Sequence, residues 1–266
     1  MLKAKKSLGQ NFLKDEAILQ RIVESADLSA EDVVIEIGPG QGALTELLVS
    51  KCQKVLAIEL DDRLIEILQK KFENNSNVEI IHGDILKINL PEMVHSSQSL
   101  VHGYKVVANI PYYITAPIIK LFLETKYPPS EMILMVQKEV AERICAKAGG
   151  MSILAVAVQY YAQPEYLFTV PKESFEPMPK VESAVIKITI TNNQETRDKQ
   201  EVKKFFRIVR AGFSAKRKTL VNNLSNSLQI DKKEIEEKLV VLGFSGNTRA
   251  QELGIEDWKK LAKSLS

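Results

Sequence analysis

Val33-Val34-Ile35-Glu36-Ile37-Gly38-Pro39-Gly40-Gln41-Gly42 runs from a nearly unbroken apolar strand pattern into a glycine-rich turn, and Ala43–Leu48 continues with helical spacing. A continuous apolar run of this length is the signature of a strand buried on both faces of a parallel sheet. Glycines between such a strand and a helix let the backbone approach a ligand at the helix N-terminus. Working outward, the pattern repeats. Lys54–Glu59 reads as a second strand ending in an acid, Leu60–Asn74 as a helix with Asp61 and Asp62 at its start, and Val78–Ile81 as a third strand leading to His82-Gly83-Asp84-Ile85. Tyr104–Ala108 is a fourth strand, Met132–Val136 a fifth, and Tyr166–Val170 with Ala184–Ile190 a closing pair. Helical spacing marks residues 15–28, Gln137–Ala148 up to Gly149-Gly150, and the apolar Met151–Tyr161. Strands alternating with helices predict an α/β fold, a Rossmann-like parallel sheet.

The turn admits two cofactors. Gly38, Gly40 and Ala43 fit a dinucleotide G-x-G-x-x-G/A pattern, whereas Gly38, Gly40 and Gly42 preceded by Glu36 fit the E-x-G-x-G-x-G pattern of S-adenosylmethionine enzymes. Glu36 favours the second, because a carboxylate suits a cationic aminoacyl group and repels a pyrophosphate. Glu59, 21 residues after Gly38, stands where a carboxylate grips ribose hydroxyls. Asp84 is placed to accept from an adenine amino group with Ile85 against its face, or to cap a helix.

A second signal follows the fourth strand: Asn109-Ile110-Pro111-Tyr112-Tyr113. An Asn side-chain oxygen accepts from an exocyclic amine, and a Tyr ring stacks on a flat heterocycle. Pro111 biases the residues before it towards extended geometry, aiming backbone carbonyls at the same amine. Thr115 is read as the cap of the next helix. Further on, Phe175-Glu176-Pro177-Met178-Pro179-Lys180-Val181 is a loop stiffened by two prolines, which presents Phe175 as a fixed ring or packs it inward.

Composition bounds the rest. The chain has 266 residues, 45% hydrophobic and 26% charged, enough for a main domain and a smaller one. The net charge of +2 hides basic ends around an acidic middle: four lysines and no acid in residues 1–14, and 16 Lys/Arg against 10 Asp/Glu in 195–266. Lys203–Lys218 carries seven basic residues and no acid, interleaved with Phe205, Phe206 and Phe213, which favours phosphate contact. Residues 91–103 read as a loop and 191–198 as a linker, so the expected domains are 1–194 and a basic helical 195–266. Cys52, Cys145, His82, His95 and His102 lack metal-ligand spacing, which argues for no metal and for reduced thiols in the cytoplasm. No signal sequence or membrane span is expected.

Taken together, the segments Lys6–Leu13, Glu36–Gly42, Glu59, Gly83-Asp84, Asn109–Thr115, Phe175–Ser183, Phe213–Lys218 and Arg249–Leu253 resemble the ribosomal RNA adenine dimethyltransferases along nearly the whole chain. Arg249-Ala250-Gln251-Glu252-Leu253 and the segment 150–162 resemble the small-subunit type rather than the large-subunit antibiotic-resistance type. The resemblance implies an S-adenosylmethionine-dependent methyltransferase sheet with a small all-helical C-terminal domain. It implies that Asn11, Leu13, Gly38, Glu59, Asp84, Ile85 and Asn109 hold the cofactor. Asn109, Ile110 and Tyr112 would be catalytic, with Tyr112 stacking on the target base. Phe175, Lys216, Arg217 and Lys218 would contact substrate. The implied partner is the small ribosomal subunit and its RNA, met by a monomer.

Overall fold

The computed structural model describes residues 4–5, 8–90, 93, 103–191 and 198–265. Most of the 91–103 loop and of the 191–198 linker, the basic residues Lys3 and Lys6, and His95 and His102 lie outside the described residues. The chain divides into two compact units, Met1–Ala141 with Ala162–Gln194, and Glu142–Tyr161 with Glu195–Ser266.

The first unit is built on a seven-stranded sheet. Its strands are β2 (Val33–Ile37), β3 (Lys54–Glu59), β4 (Val78–His82), β5 (Lys105–Asn109), β6 (Glu131–Gln137), β7 (Ala162–Val170) and β9 (Ser183–Ile190), in the order β4-β3-β2-β5-β6-β9-β7. β4 to β6 along this order are parallel, and β9 runs antiparallel between β6 and β7. All of β2 is buried, as are the centres of β3, β5 and β6, which is why these strands read as continuous apolar runs. From β2 the chain builds outward through β3 and β4, then crosses back to β5 on the other side of β2. That reversal opens a crevice at the carboxyl ends of β2 and β5, where open α/β sheets bind ligands.

Helices α1 (Glu16–Ser25), α2 (Ala43–Val49), α3 (Asp62–Lys71) and α4 (Thr115–Glu124) belong to this unit. In α1, Ile18, Leu19, Ile22 and Val23 are buried, and the Asp15 side chain caps by accepting from the Ile18 amide at 3.2 Å. The helix expected from Leu60 starts at Asp62, because Asp61 is its cap and accepts from the Arg63 amide. Thr115 does not cap α4: it is the first helical residue, and its hydroxyl donates to the Tyr112 carbonyl at 3.2 Å. A separate pair, β1 (Phe12–Leu13) and β8 (Phe175–Glu176), runs antiparallel with Leu13 opposite Phe175.

The second unit packs α6 (Ile153–Tyr161), α7 (Lys199–Gly212), α8 (Leu220–Leu228), α9 (Lys232–Val241) and α10 (Ile255–Ser264) around Trp258, which is fully buried. The boundary inside α5 (Lys138–Ile144) corrects the expected single cut after residue 194. The reason is packing: Met151, Ala155 and Val156 share a core with Phe205, Ile208 and Trp258. The Gln251 carbonyl accepts from the Gly149 and Met151 amides at 2.9 and 3.1 Å, so the Arg249–Leu253 segment is a clasp for this insertion. α5 ends earlier than expected, and the Gln159 side chain donates to the carbonyl of Ile144, its last residue, and to that of Ala146 beyond it.

Candidate active site

A cavity of about 400 Å³ lies at the crevice, lined by the N-terminal segment Leu8–Lys14, the glycine turn after β2, the ends of β3 and β4, and Asn109–Ile114. Every sequence-predicted cofactor residue (Asn11, Leu13, Gly38, Glu59, Asp84, Ile85 and Asn109) lines it, as do Ile110 and Tyr112.

The turn is held open by its glycines. Gly38, Gly40 and Gly42 have φ of 66°, 61° and 77°, a region that costs a residue with a Cβ. At Gly42 a Cβ would sit 2.8 Å from the Phe72 ring, whereas at Gly38 nothing stands within 4 Å. Gly42 is therefore glycine for packing, and Gly38 leaves its open side to the cavity.

Two carboxylates sit behind this turn. Glu59 is buried; its Oε2 accepts from the Gly40 amide at 3.1 Å and its Oε1 from the Leu60 and Asp61 amides at 2.9 and 2.8 Å. A carboxylate has about four acceptor sites, so room for a ribose hydroxyl remains beside the three amides. Burial raises its pKa, and the three amides offset this in part. Glu36 is 2% exposed, and its Oε2 has no hydrogen-bond partner among the described residues. Desolvation pushes its carboxyl up to about 8; Thr45 and Lys71 oppose the shift, and the Glu59 charge adds to it. A buried, unsatisfied acid on the cavity wall is costly unless something cationic meets it. That need fits the aminoacyl ammonium of S-adenosylmethionine.

Asp84 reaches the cavity but also serves its own turn, accepting from the Leu86 amide at 3.0 Å. Ile85 beside it is buried. Asn109 is positioned by the pairing of β5 with β6, where it stands opposite Met135. Its Nδ2 donates to the Asn11 carbonyl at 3.3 Å, and no hydrogen bond among the described residues occupies its Oδ1. Ile110 is buried and its amide donates to the Met135 carbonyl at 3.2 Å. Tyr112 opens a single 3₁₀ turn, with its hydroxyl 2.7 Å from the Ser183 hydroxyl. Burial raises the Tyr112 pKa, so the phenol stays neutral.

Phe175 is not presented to a substrate. The β1–β8 pairing turns it into the core, where it is 5% exposed among Leu13, Val170 and Val185. Lys216, Arg217 and Lys218 are exposed, but they follow α7 in a turn rather than on a helix. Phe205 is buried against Tyr160, with ring centroids 4.3 Å apart, and Phe213 stacks on Trp258, so these aromatics are core. Sequence reasoning missed Gln10, Asp61 and Ser183, which touch or support the site. All three lie within segments named above, but nothing local gives them a role at the site, because the Gln10–Asp61 and Tyr112–Ser183 contacts join residues 51 and 71 positions apart. Among the described residues no group of His, Cys, Asp and Glu is placed to hold a metal, and no helix is long and apolar enough to cross a membrane.

A parallel sheet with one inserted antiparallel strand, an acid-preceded glycine turn and an Asn-Ile-Pro-Tyr corner define an S-adenosylmethionine-dependent methyltransferase. The family profile described as "Ribosomal RNA adenine dimethylase" matches residues 1–266. The chain belongs to that family. It is 45% identical over 260 residues to the "Ribosomal RNA small subunit methyltransferase A" of Dehalococcoides mccartyi (strain CBDB1), covering 98% of this chain and 88% of the relative. Two solved structures are similar along the length. A dimethyladenosine transferase from Plasmodium falciparum has TM-score 0.79 at 28% identity, covering 94% of this chain and 95% of the other. The 23S rRNA methyltransferase ErmE has TM-score 0.79 at 26% identity, covering 96% and 99%.

Proposed function

We propose that this protein transfers methyl groups from S-adenosylmethionine to the N6 amines of two adjacent adenosines in small-subunit ribosomal RNA, giving N6,N6-dimethyladenosine. The observation that carries the reading is the Asn109 side chain, which has its nitrogen engaged by Asn11 and its oxygen left to the cavity. The 45% identity to a relative named for the small subunit supports that substrate over the large-subunit RNA of ErmE's name.

S-Adenosylmethionine supplies an electrophilic methyl group. Glu59 would hold its ribose, Asp84 and Ile85 its adenine, and Asn11, Leu13, Gly38 and the unsatisfied Glu36 oxygen its aminoacyl end, all of them lining the one cavity. The adenine amine is a weak nucleophile, because its lone pair is delocalised into the ring. Asn109 Oδ1 and the Ile110 carbonyl each accept one N–H, which favours a pyramidal nitrogen with its lone pair turned towards the donor. The gain is positional and electrostatic. Tyr112, neutral and fixed by Ser183, holds the extruded base by stacking, worth about 1–3 kcal/mol. No strong base is needed, since the alkylated nitrogen loses its proton readily to water. The second methyl transfer takes place at the same nitrogen with fresh cofactor, and there the one remaining N–H engages only one of these two acceptors.

Lys216, Arg217 and Lys218, exposed in their turn, take RNA phosphates. Phe175 has no place in this scheme. The reading includes a monomeric enzyme working in the cytoplasm, where its ribosomal substrate is assembled. The test is methyl transfer from labelled S-adenosylmethionine to small subunits, large subunits and naked RNA, followed by mapping. Label on two adjacent adenosines of small-subunit RNA is expected; label confined to large-subunit RNA would overturn the assignment.

A further inference from the structure

Gln10 takes no part in the chemistry above, yet the N-terminal segment is fastened through it. Its Oε1 accepts from the Lys5 amide at 2.7 Å, and its Nε2 donates to Asp61 Oδ2 at 2.8 Å. Asp61 is a fixed anchor. It is 1% exposed, and Arg63 grips both of its oxygens, Nε to Oδ1 at 2.9 Å and Nη2 to Oδ2 at 2.6 Å. This grip and the Gln10 bond hold its carboxyl below the usual range. On either side of Gln10 the segment is steered by contact. A Cβ on Gly9, whose φ is 60°, would lie 3.3 Å from the Tyr113 ring, and one on Gly40 would lie 3.1 Å from the Phe12 ring.

The residue after Gln10 delivers the consequence. The Asn11 backbone carbonyl meets Asn109 Nδ2 at 3.3 Å. A carbonyl only accepts, so it dictates which end of the Asn109 amide faces it. Flipped, the amide would set two oxygens against each other and offer an NH₂ group to the target amine. The end of β3 and the end of β5 are thus joined by a short chain: Asp61, Gln10, the Asn11 carbonyl, Asn109.

We infer that Gln10 is a positioning residue that acts through the Asn11 carbonyl to fix the Asn109 amide, presenting Oδ1 to the nucleophile. This rests on the role given to Asn109 above. A tether that served stability alone would make the same bonds, so the test must read chemistry apart from folding.

The experiment measures single-turnover methyl transfer to small subunits, the RNA dependence of the rate, S-adenosylmethionine affinity and melting temperature. The variants are Gln10→Met, Gln10→Glu, Asp61→Asn, the Gln10→Glu/Asp61→Asn pair, and Asn109→Ala. Gln10→Met, close in shape but unable to donate, is expected to lower the maximal rate about tenfold to a hundredfold, the scale set by small misplacements of catalytic groups. Half-saturation by RNA should not move. Gln10→Glu sets a carboxylate against Asp61 and should fall further. In the double variant the introduced amide can donate to the introduced carboxylate but gives up the oxygen that Arg63 Nη2 bonds at 2.6 Å, so the rate should recover in part, well above that of Gln10→Glu alone, the non-additivity that marks a direct pair. If Gln10→Met keeps the wild-type rate while Asn109→Ala is inactive, the positioning role falls and the proposed function stands. If Asn109→Ala is active, both fall. Losses that track melting temperature, or that the double variant does not rescue, also overturn the positioning role.

Discussion

The mouth of the sheet unit and the surface of the helical unit handle polar groups in opposite ways. At the mouth, polar groups keep part of their bonding capacity unspent: the buried Glu36 Oε2 and the half-buried Asn109 Oδ1 have no hydrogen-bond partner among the described residues. In the helical unit the core closes on Trp258, while Lys203, Lys204, Arg207, Arg210 and Lys216–Lys218 all stand in solvent. A small cationic ligand is recognised by what burial leaves unsatisfied. A polyanion is recognised by charge that was never buried. Changes at the mouth should therefore be large and short-ranged, and changes on the helices graded and sensitive to salt.

The sharpest break is Asn109→Ala, expected to lower methyl transfer by about 10²–10³-fold, as for loss of one preorganised hydrogen-bonding group, with melting temperature and most cofactor affinity retained. Steady activity above a tenth of wild type would end its assigned role. Glu59→Ala comes next. It removes a ribose acceptor and strands the Gly40, Leu60 and Asp61 amides, so S-adenosylmethionine should bind more weakly by about 1–3 kcal/mol. Unchanged calorimetric affinity would make Glu59 purely structural. On the other side of the comparison, replacing Lys216, Arg217 and Lys218 by alanine should flatten the salt dependence of RNA binding by about 0.7–0.9 in log–log slope per lost phosphate contact. Cofactor affinity should stay put; an unaltered slope would return these residues to plain solvated charge.

The smallest effect concerns Glu36. Its carboxyl rises from an ordinary value of 4.5 to about 8 in the folded chain. Between those values the folded state keeps a proton that the unfolded chain has lost, so stability falls as pH rises through the window. Glu59, also raised by burial, acts in the same direction. Without added cofactor, melting temperature should decline from about pH 5 to about pH 8, and Glu36→Gln should make that decline shallower. An identical pH profile for the variant would show that Glu36 is charged throughout.

Most of the sheet was legible because its strands are buried on both faces and so carry one uninterrupted apolar signal. Lys54–Glu59 appears as a strand with the bounds expected of it. The cavity residues were legible where they end a strand, since topology brings all such ends to one crevice. What escaped was set by contacts remote in sequence. Nothing local says that Phe175 pairs across from Leu13, so its exposure was open until β1 and β8 met. Nothing around Met151–Tyr161 says that this helix belongs with residues beyond 195, because an apolar helix fits any core. Gln10 was visible within a quoted motif, but its meaning lies 51 residues away, at Asp61.

The division of the helical unit between two stretches of chain has a consequence for how the protein is made. Polypeptide is synthesised at roughly 5–20 residues per second. α6 is complete at Tyr161, whereas α7, which carries Phe205 and Ile208, ends about 50 residues later at Gly212. For several seconds of synthesis the apolar side of α6 therefore has no partner from α7, while β7 and β9 of the sheet are still being made. Apolar surface exposed in that interval is of the kind that invites aggregation, and a chain cut after residue 194 would leave the helix without its α7 partner altogether.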